Sequence, residues 1–215
     1  MDRGKLLQEA LRLKKADDYI GAIKVLGNVL ESDRFDSEAY YSLGKIYYLL
    51  DDRFAAVKHY LVSLHLDILE MDSTEKSGAD ALVKDIPEKV RKQFDSVDSS
   101  AKYTLLLKNH LRHIAHALND LSGASFPERE HIDTYRQSLK GEAEMKESMN
   151  RIEDEFYFPL GAEFSINSLD FGLPRREIVR QYFTLDENLL KERFADIFSN
   201  YIKERTGGSD INQGN

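Results

Sequence analysis

The sequence predicts an all-α fold: two helical hairpins at the amino end, extended and capped by further helices into an α-α superhelix. Three observations carry this expectation. Glycine and proline are sparse, 12 and 4 among 215 residues, which favours long regular elements over many tight turns. Apolar residues recur at steps of three and four, as one face of a helix requires. A segment of the chain also repeats itself at an offset of 34 residues.

The repeat pairs the stretch from Asp17 to Leu26 with the stretch from Asp51 to Tyr60. Asp17 and Asp51, Asp18 and Asp52, Ala22 and Ala56, and Lys24 and Lys58 are identical pairs, while Ile20/Phe54, Ile23/Val57 and Leu26/Tyr60 stay apolar. The match continues outward through Leu6/Tyr40, Ala10/Gly44, Leu13/Tyr47 and Leu30/Leu64. Each copy reads as two helices. Leu6, Ala10 and Leu13, then Tyr40, Leu43, Gly44 and Tyr47, form the buried face of the first helix of each pair. The Asp-Asp pair follows, able to cap the exposed N–H groups of the second helix. Ala22 or Ala56 lets two helix backbones approach, and Leu26 or Tyr60 fills the space beside it.

These residues resemble the tetratricopeptide repeat. The second copy carries the pattern best, as Tyr40-x2-Leu43-Gly44-x2-Tyr47 followed by Ala56-x3-Tyr60. The first copy departs from it: Glu9 stands where the pattern has Leu, and Leu6 and Leu13 replace aromatics. The closing proline is absent from both, with Arg34 and Ile68 in its places. The resemblance covers about residues 3–71, within an amino-terminal unit of residues 1–71. A third step of the period lands on Thr74, Ser77, Gly78 and Ala81, which do not make a third copy. Two repeats leave an apolar face open, so the rest of the chain or a second subunit must cover it.

The remaining elements follow in order. Residues 72–98 read as a polar linker with a short helix opened by Pro87 and ending near Phe94. Residues 99–205 form a carboxy-terminal helical region. Ser99 and Ser100 can cap a helix to about Leu121, with Tyr103, Leu107, Leu111, Ile114, Leu118 and Leu121 on one face. Ser125 and Pro127 open a long polar helix whose far end, Glu142 to Glu155, is a solvated acidic face. Residues 156–174 are aromatic and carry helix breakers, so they are expected as an ordered apolar loop that lids the array, with a short hairpin as the alternative. Pro174 starts a helix to Phe183, and Thr184 to Glu187 resembles a capping box for the last helix. Residues 206–215 are Gly-rich and polar and are expected to form a disordered tail.

Composition narrows the function. The net charge of −8 removes the usual electrostatic basis for broad phosphate-backbone binding, so no nucleic-acid partner is expected. The chain has no Cys, which excludes disulfides, thiolate metal sites and a cysteine nucleophile. Its apolar runs fall far short of a bilayer span, and its first residues lack a secretory pattern, so the expectation is a cytoplasmic protein with no membrane partner. A Gly-rich phosphate loop, a nucleotide fingerprint and a His-Glu-x-x-His motif are all missing, so no enzyme and no cofactor are expected.

The tetratricopeptide resemblance implies a non-catalytic protein-interaction module, an adaptor or scaffold that holds a peptide or helix in a concave groove. Carried over position by position, the groove comprises Leu7, Leu11 and Lys14 from the first copy and Glu38, Tyr41, Lys45 and Tyr48 from the second. The tyrosines suit recognition, and the lysines favour an acidic ligand. No Asn stands at the matching positions, which puts the family's grip on a terminal carboxylate in doubt. Two alternatives stay open. One is a domain whose own carboxy-terminal helices fill the groove and which acts as a homodimer or larger homo-oligomer. The other is a metal-dependent enzyme using His110-x2-His113-x2-His116. Steps of three on a helix precess by about 60°, so these rings fan apart, and they are expected as surface or boundary residues.

Overall fold

The computed structural model describes residues 2–73, 102–122, 157–168, 170 and 173–205. Every regular element among them is a helix: α1 (Arg3–Lys15), α2 (Tyr19–Ser32), α3 (Ser37–Leu49), α4 (Arg53–Ser73), α5 (Lys102–Ser122), α6 (Phe158–Ser168), α7 (Arg175–Phe183) and α8 (Glu187–Arg205). The short helix expected after Pro87, the polar helix from Ser125 and the tail from Thr206 lie outside the described residues, as does most of the linker.

Aspartates start the first four helices. The side chains of Asp2, Asp18, Asp36 and Asp52 accept hydrogen bonds from the backbone N–H of Gly4 (3.2 Å), Gly21 (2.9 Å), Ala39 (2.9 Å) and Ala55 (2.9 Å). Each satisfies a donor that the first turn leaves open and sets a negative charge at the positive helix end. The two Asp-Asp pairs divide their work. Asp17 and Asp51 take left-handed backbone, φ 58° and 66°, and so reverse the chain. Asp18 and Asp52 then donate their backbone N–H to Leu13 and Tyr47 carbonyls, both at 3.0 Å, and cap the following helix. The turn therefore repeats with the sequence.

The first two hairpins, α1 with α2 and α3 with α4, stack through one apolar layer. Leu6, Ala10, Ala22, Leu26 and Val29 bury against Ala39, Leu43 and Ile46 of α3. Within the second hairpin Gly44 lies beneath the ring of Tyr60, where no side chain would fit. The Arg3 guanidinium bonds the Asp36 carboxylate and reaches Glu38 at 3.0 Å, which ties the starts of α1 and α3 together. Those two helices run parallel, since Leu7, Leu11 and Lys14 lie beside Ser42, Lys45 and Ile46.

A third antiparallel pair follows from sequence that lacks the repeat. His116 of α5 stacks on Tyr157, the residue before α6, with ring centroids 3.8 Å apart, while Gly161 of α6 packs directly against the Leu111 carbonyl of α5. The order of these contacts makes the two helices antiparallel. Leu111, Ile114, Ala117 and Leu118 of α5 enter one core with Val57, Tyr60, Leu61 and Leu64 of α4 and with Leu160 and Phe164 of α6. α5 packs on α4 and α6 alike, so the third pair is joined to the second hairpin through α4.

The last helices close the outside. α7 lies on α4, where the Tyr182 hydroxyl and His65 Nδ1 share a hydrogen bond of 2.9 Å and Phe183 meets His59 edge-on at 4.9 Å. α8 covers α5 and α6, with Phe194 against Phe164.

Three expectations need correction. Residues 158–168 form a helix, not a loop or hairpin: Pro159 sits in the first turn, where a missing N–H costs nothing, and Gly161 is small because Leu111 is so close. The cap of α8 is Asp186, whose carboxylate accepts from Leu189 N at 3.0 Å, while Thr184 ends α7 instead. α4 continues to Ser73, past the end of the repeat.

Candidate functional site

α1, α3 and α5, the first helices of the three pairs, lie side by side as one wall: α1 and α3 share a cleft, and hydrogen bonds join α3 to α5. The alignment of α3 with α5 is set by two hydrogen bonds. The Tyr41 hydroxyl and His113 Nδ1 share one at 2.8 Å, and the Tyr48 hydroxyl donates to Asp120 Oδ2 at 2.6 Å. Both span 72 positions, so the helices run parallel in fixed register.

The predicted groove residues divide between the two seams of this wall. Leu7, Leu11, Lys14 and Lys45 line a narrow cleft of about 80 Å³ between α1 and α3, together with Ser42 and Ile46. Leu11 is 49% exposed there. Tyr41 and Tyr48 face the other seam, towards α5. Glu38 is held by Arg3 at the rim. The seven residues thus share a surface, but only Leu7, Leu11, Lys14 and Lys45 meet around one cleft.

Electrostatics distinguish Lys45. Its ammonium sits 3.9 Å above the Tyr41 ring centroid, and among the described residues neither it nor Lys14 has an ion-pair partner. Burial, and then the like charge of Lys14, hold its pKa below the ordinary lysine value. An anion placed here would oppose both effects by favouring the charged ammonium.

The α3–α5 seam is aromatic and polar. Tyr41 stacks on His110 at 3.9 Å, and Tyr60 stacks on His113 at 5.4 Å. Tyr48, His113 and His116 line a second cavity of about 210 Å³. The Arg53 guanidinium lies 3.8 Å from the centroid of the Tyr48 ring, bonds the Tyr48 carbonyl and approaches Asp120 at 3.5 Å. Burial and the Asp120 bond push the Tyr48 phenol up to about 12, so it stays neutral and donates.

Of the three histidines only His110 departs from the expected surface or boundary placement; His113 and His116 are half-buried. His110 is 1% exposed, and its Nε2 meets Ser63 Oγ at 2.9 Å and Asp67 Oδ2 at 3.3 Å. Ser63 donates to the Ser37 carbonyl at 2.7 Å. Burial pushes the Asp67 carboxyl up to about 6. Ser63, His110 and Asp67 are the residue types of a hydrolytic relay, but serine and carboxylate approach the same imidazole nitrogen, and Ser63 is fully buried. A relay needs them on opposite nitrogens with the serine facing substrate. The three imidazoles meet three different sets of partners, and among the described residues no group of three or more His, Cys, Asp or Glu could hold a metal ion.

Sequence reasoning missed that α5 belongs to the wall. A signal was present: His113 and Asp120 are seven residues apart, as Tyr41 and Tyr48 are. Two turns on each helix thus present matching polar partners.

Among the described residues no helix is long and apolar enough to cross a membrane. Comparisons with protein-family models, with curated proteins and with solved structures find no match.

Proposed function

We propose that this protein is a non-catalytic adaptor of tetratricopeptide type, whose wall of α1, α3 and α5 holds an acidic stretch of another polypeptide. Support for the family comes from the matching turns: left-handed Asp17 and Asp51, and the capping residues that follow each of them, recur at the repeat offset. The observation that carries the binding role is the pair Lys14 and Lys45 beside the cleft with Leu7 and Leu11, two cations without carboxylate partners among the described residues, next to exposed apolar surface. Such a combination suits a segment that brings both carboxylates and apolar contact.

The test is a charge reversal on the cleft. Lys14→Glu with Lys45→Glu should weaken capture of acidic peptides by about tenfold or more, measured by fluorescence anisotropy, because each lost attraction becomes a repulsion. Helicity should hold, since neither lysine is in an ion pair among the described residues, and Lys45→Gln in place of Lys45→Glu separates lost binding from the small stability cost of leaving the Tyr41 ring. Added salt should weaken the wild-type complex as well. Unchanged affinity in the double variant would remove the reading. Replacing Tyr41 and Tyr48 is the poorer experiment, because both hold α5 in place.

A further inference from the structure

The α3–α5 seam holds a feature that the cleft does not explain. Tyr48, His113 and His116 line, among the described residues, an open-sided hollow of about 210 Å³. Sites for whole small molecules run from about 300 to 1,000 Å³. A cavity of about 150 Å³ already accepts one benzene ring. The space therefore matches a single side chain rather than a metabolite.

The described part of its lining consists of rings already fixed from behind. Tyr48 lies against Arg53 and is bonded to Asp120, His113 is stacked on Tyr60 and bonded to Tyr41, and His116 is stacked on Tyr157. Such a pocket needs little ordering when it is filled. Lys45 lies one helical turn from Tyr48 on α3, so the cavity and the cationic cleft are neighbours along one helix.

We propose that this cavity is an anchor pocket: it takes one aromatic side chain, phenylalanine by size, from a polypeptide segment whose flanking carboxylates face Lys45 and Lys14. The proposal rests on the adaptor reading and adds to it the identity of the anchor. Charge complementarity selects the occupant, since an acidic flank satisfies lysines that a basic or neutral segment would leave unmet. Stacking between rings gives the anchor a geometric preference over an aliphatic residue of similar size.

The experiment uses the full chain and three blocked pentapeptides. One has phenylalanine between glutamate pairs, one has alanine there, and one has phenylalanine between lysine pairs. Binding is followed by NMR of histidine-labelled protein at pH 7.5, which reads six imidazoles. The expected result is saturable movement of the His113 and His116 signals by the acidic phenylalanine peptide. The alanine and basic peptides should bind at least about tenfold more weakly. Equal binding of the two acidic peptides would overturn the anchor pocket and leave the cationic cleft standing. Tight binding that moves neither His113 nor His116 would do the same. Failure of all three peptides to bind would overturn both readings.

Discussion

Gly44 lies so close beneath Tyr60 that a Cβ at position 44 would stand 2.5 Å from the ring carbon Cδ1. The glycine is there for space rather than for backbone freedom, since it sits inside α3. Gly44→Ala should therefore destabilise the protein by about 1–3 kcal/mol, the usual range for overpacking a filled core. Gly27 on α2 meets nothing within 4 Å of an added Cβ. Gly27→Ala should raise stability by about 0.5–1 kcal/mol through helix propensity. Opposite signs in urea unfolding of these two variants are the expected outcome. A shared sign would show that Tyr60 yields freely.

Gly161 is a stricter case. Its added Cβ would lie 2.0 Å from the Leu111 carbonyl oxygen, which is backbone and cannot swing aside. Gly161→Ala should part α6 from α5 and lower the melting temperature more than Gly44→Ala does. Faster amide exchange should follow in α5 and α6, with α1 and α2 little changed. A smaller loss than at Gly44 would contradict the close packing of these two helices.

The turns separate two kinds of aspartate. Asp51, at φ 66°, has its backbone in a region that β-branched residues avoid, so Asp51→Val should cost about 1–2 kcal/mol. Asp51→Gly should be within about 0.5 kcal/mol of wild type, since glycine accepts the conformation and the carboxylate it removes from the Arg53 ion pair is exposed. Asp52→Ala should cost about 1 kcal/mol for the lost cap, and Asp52→Asn much less. Equal losses for Asp51→Gly and Asp52→Ala would show that the two residues do not divide the work.

Acid should weaken the attachment of α7. Burial holds the His59 and His65 imidazoles down at about 4, and both face α7 residues. Unfolded chains bind protons at these histidines between about pH 6.5 and 4 where the folded protein does not, so their stabilisation is lost as pH falls through that window. Each histidine accounts for on the order of 2–3 kcal/mol across it. Asp67 acts in the opposite sense. Its folded pKa, raised to about 6, adds stability at low pH that fades as pH rises from about 4 to 6. With two histidines against one carboxyl, the melting temperature should fall on acidification below pH 6.5. His59→Phe should flatten the slope, and Asp67→Asn should steepen it. A melting temperature that is flat or rising towards pH 4 in the wild-type protein would contradict the burial of these imidazoles.

The hairpins of residues 3–71 were legible because each of their contacts is local and recurs. One period explained Ala56, Tyr60, Gly44 and the paired aspartates. In the third pair α5 was legible from its apolar stripe, but its pairing with α6 was not, since neither helix shares residues with the repeat. Pro159 and Gly161 read as breakers when one is a first-turn residue and the other a contact point. His113 and His116 leave the apolar stripe of α5 and do lie at a boundary, whereas His110 is buried by polar and stacking contacts with Ser63, Asp67 and Tyr41 that no apolar pattern announces. The groove positions carried over from the repeat do lie on one wall, but nothing in α3 alone announced that Tyr41 and Tyr48 would meet a partner 72 residues away.

That distance along the chain has a kinetic consequence. The turns that build α1 to α4 close over a few residues, whereas joining α5 to α3 closes a long loop before any contact compensates for the entropy. Assembly therefore runs from the amino end, with the leading hairpins as the platform on which the later tier condenses. During that interval the apolar side of α4 faces water, and a chain still being synthesised would expose it until the residues beyond Ser122 had followed.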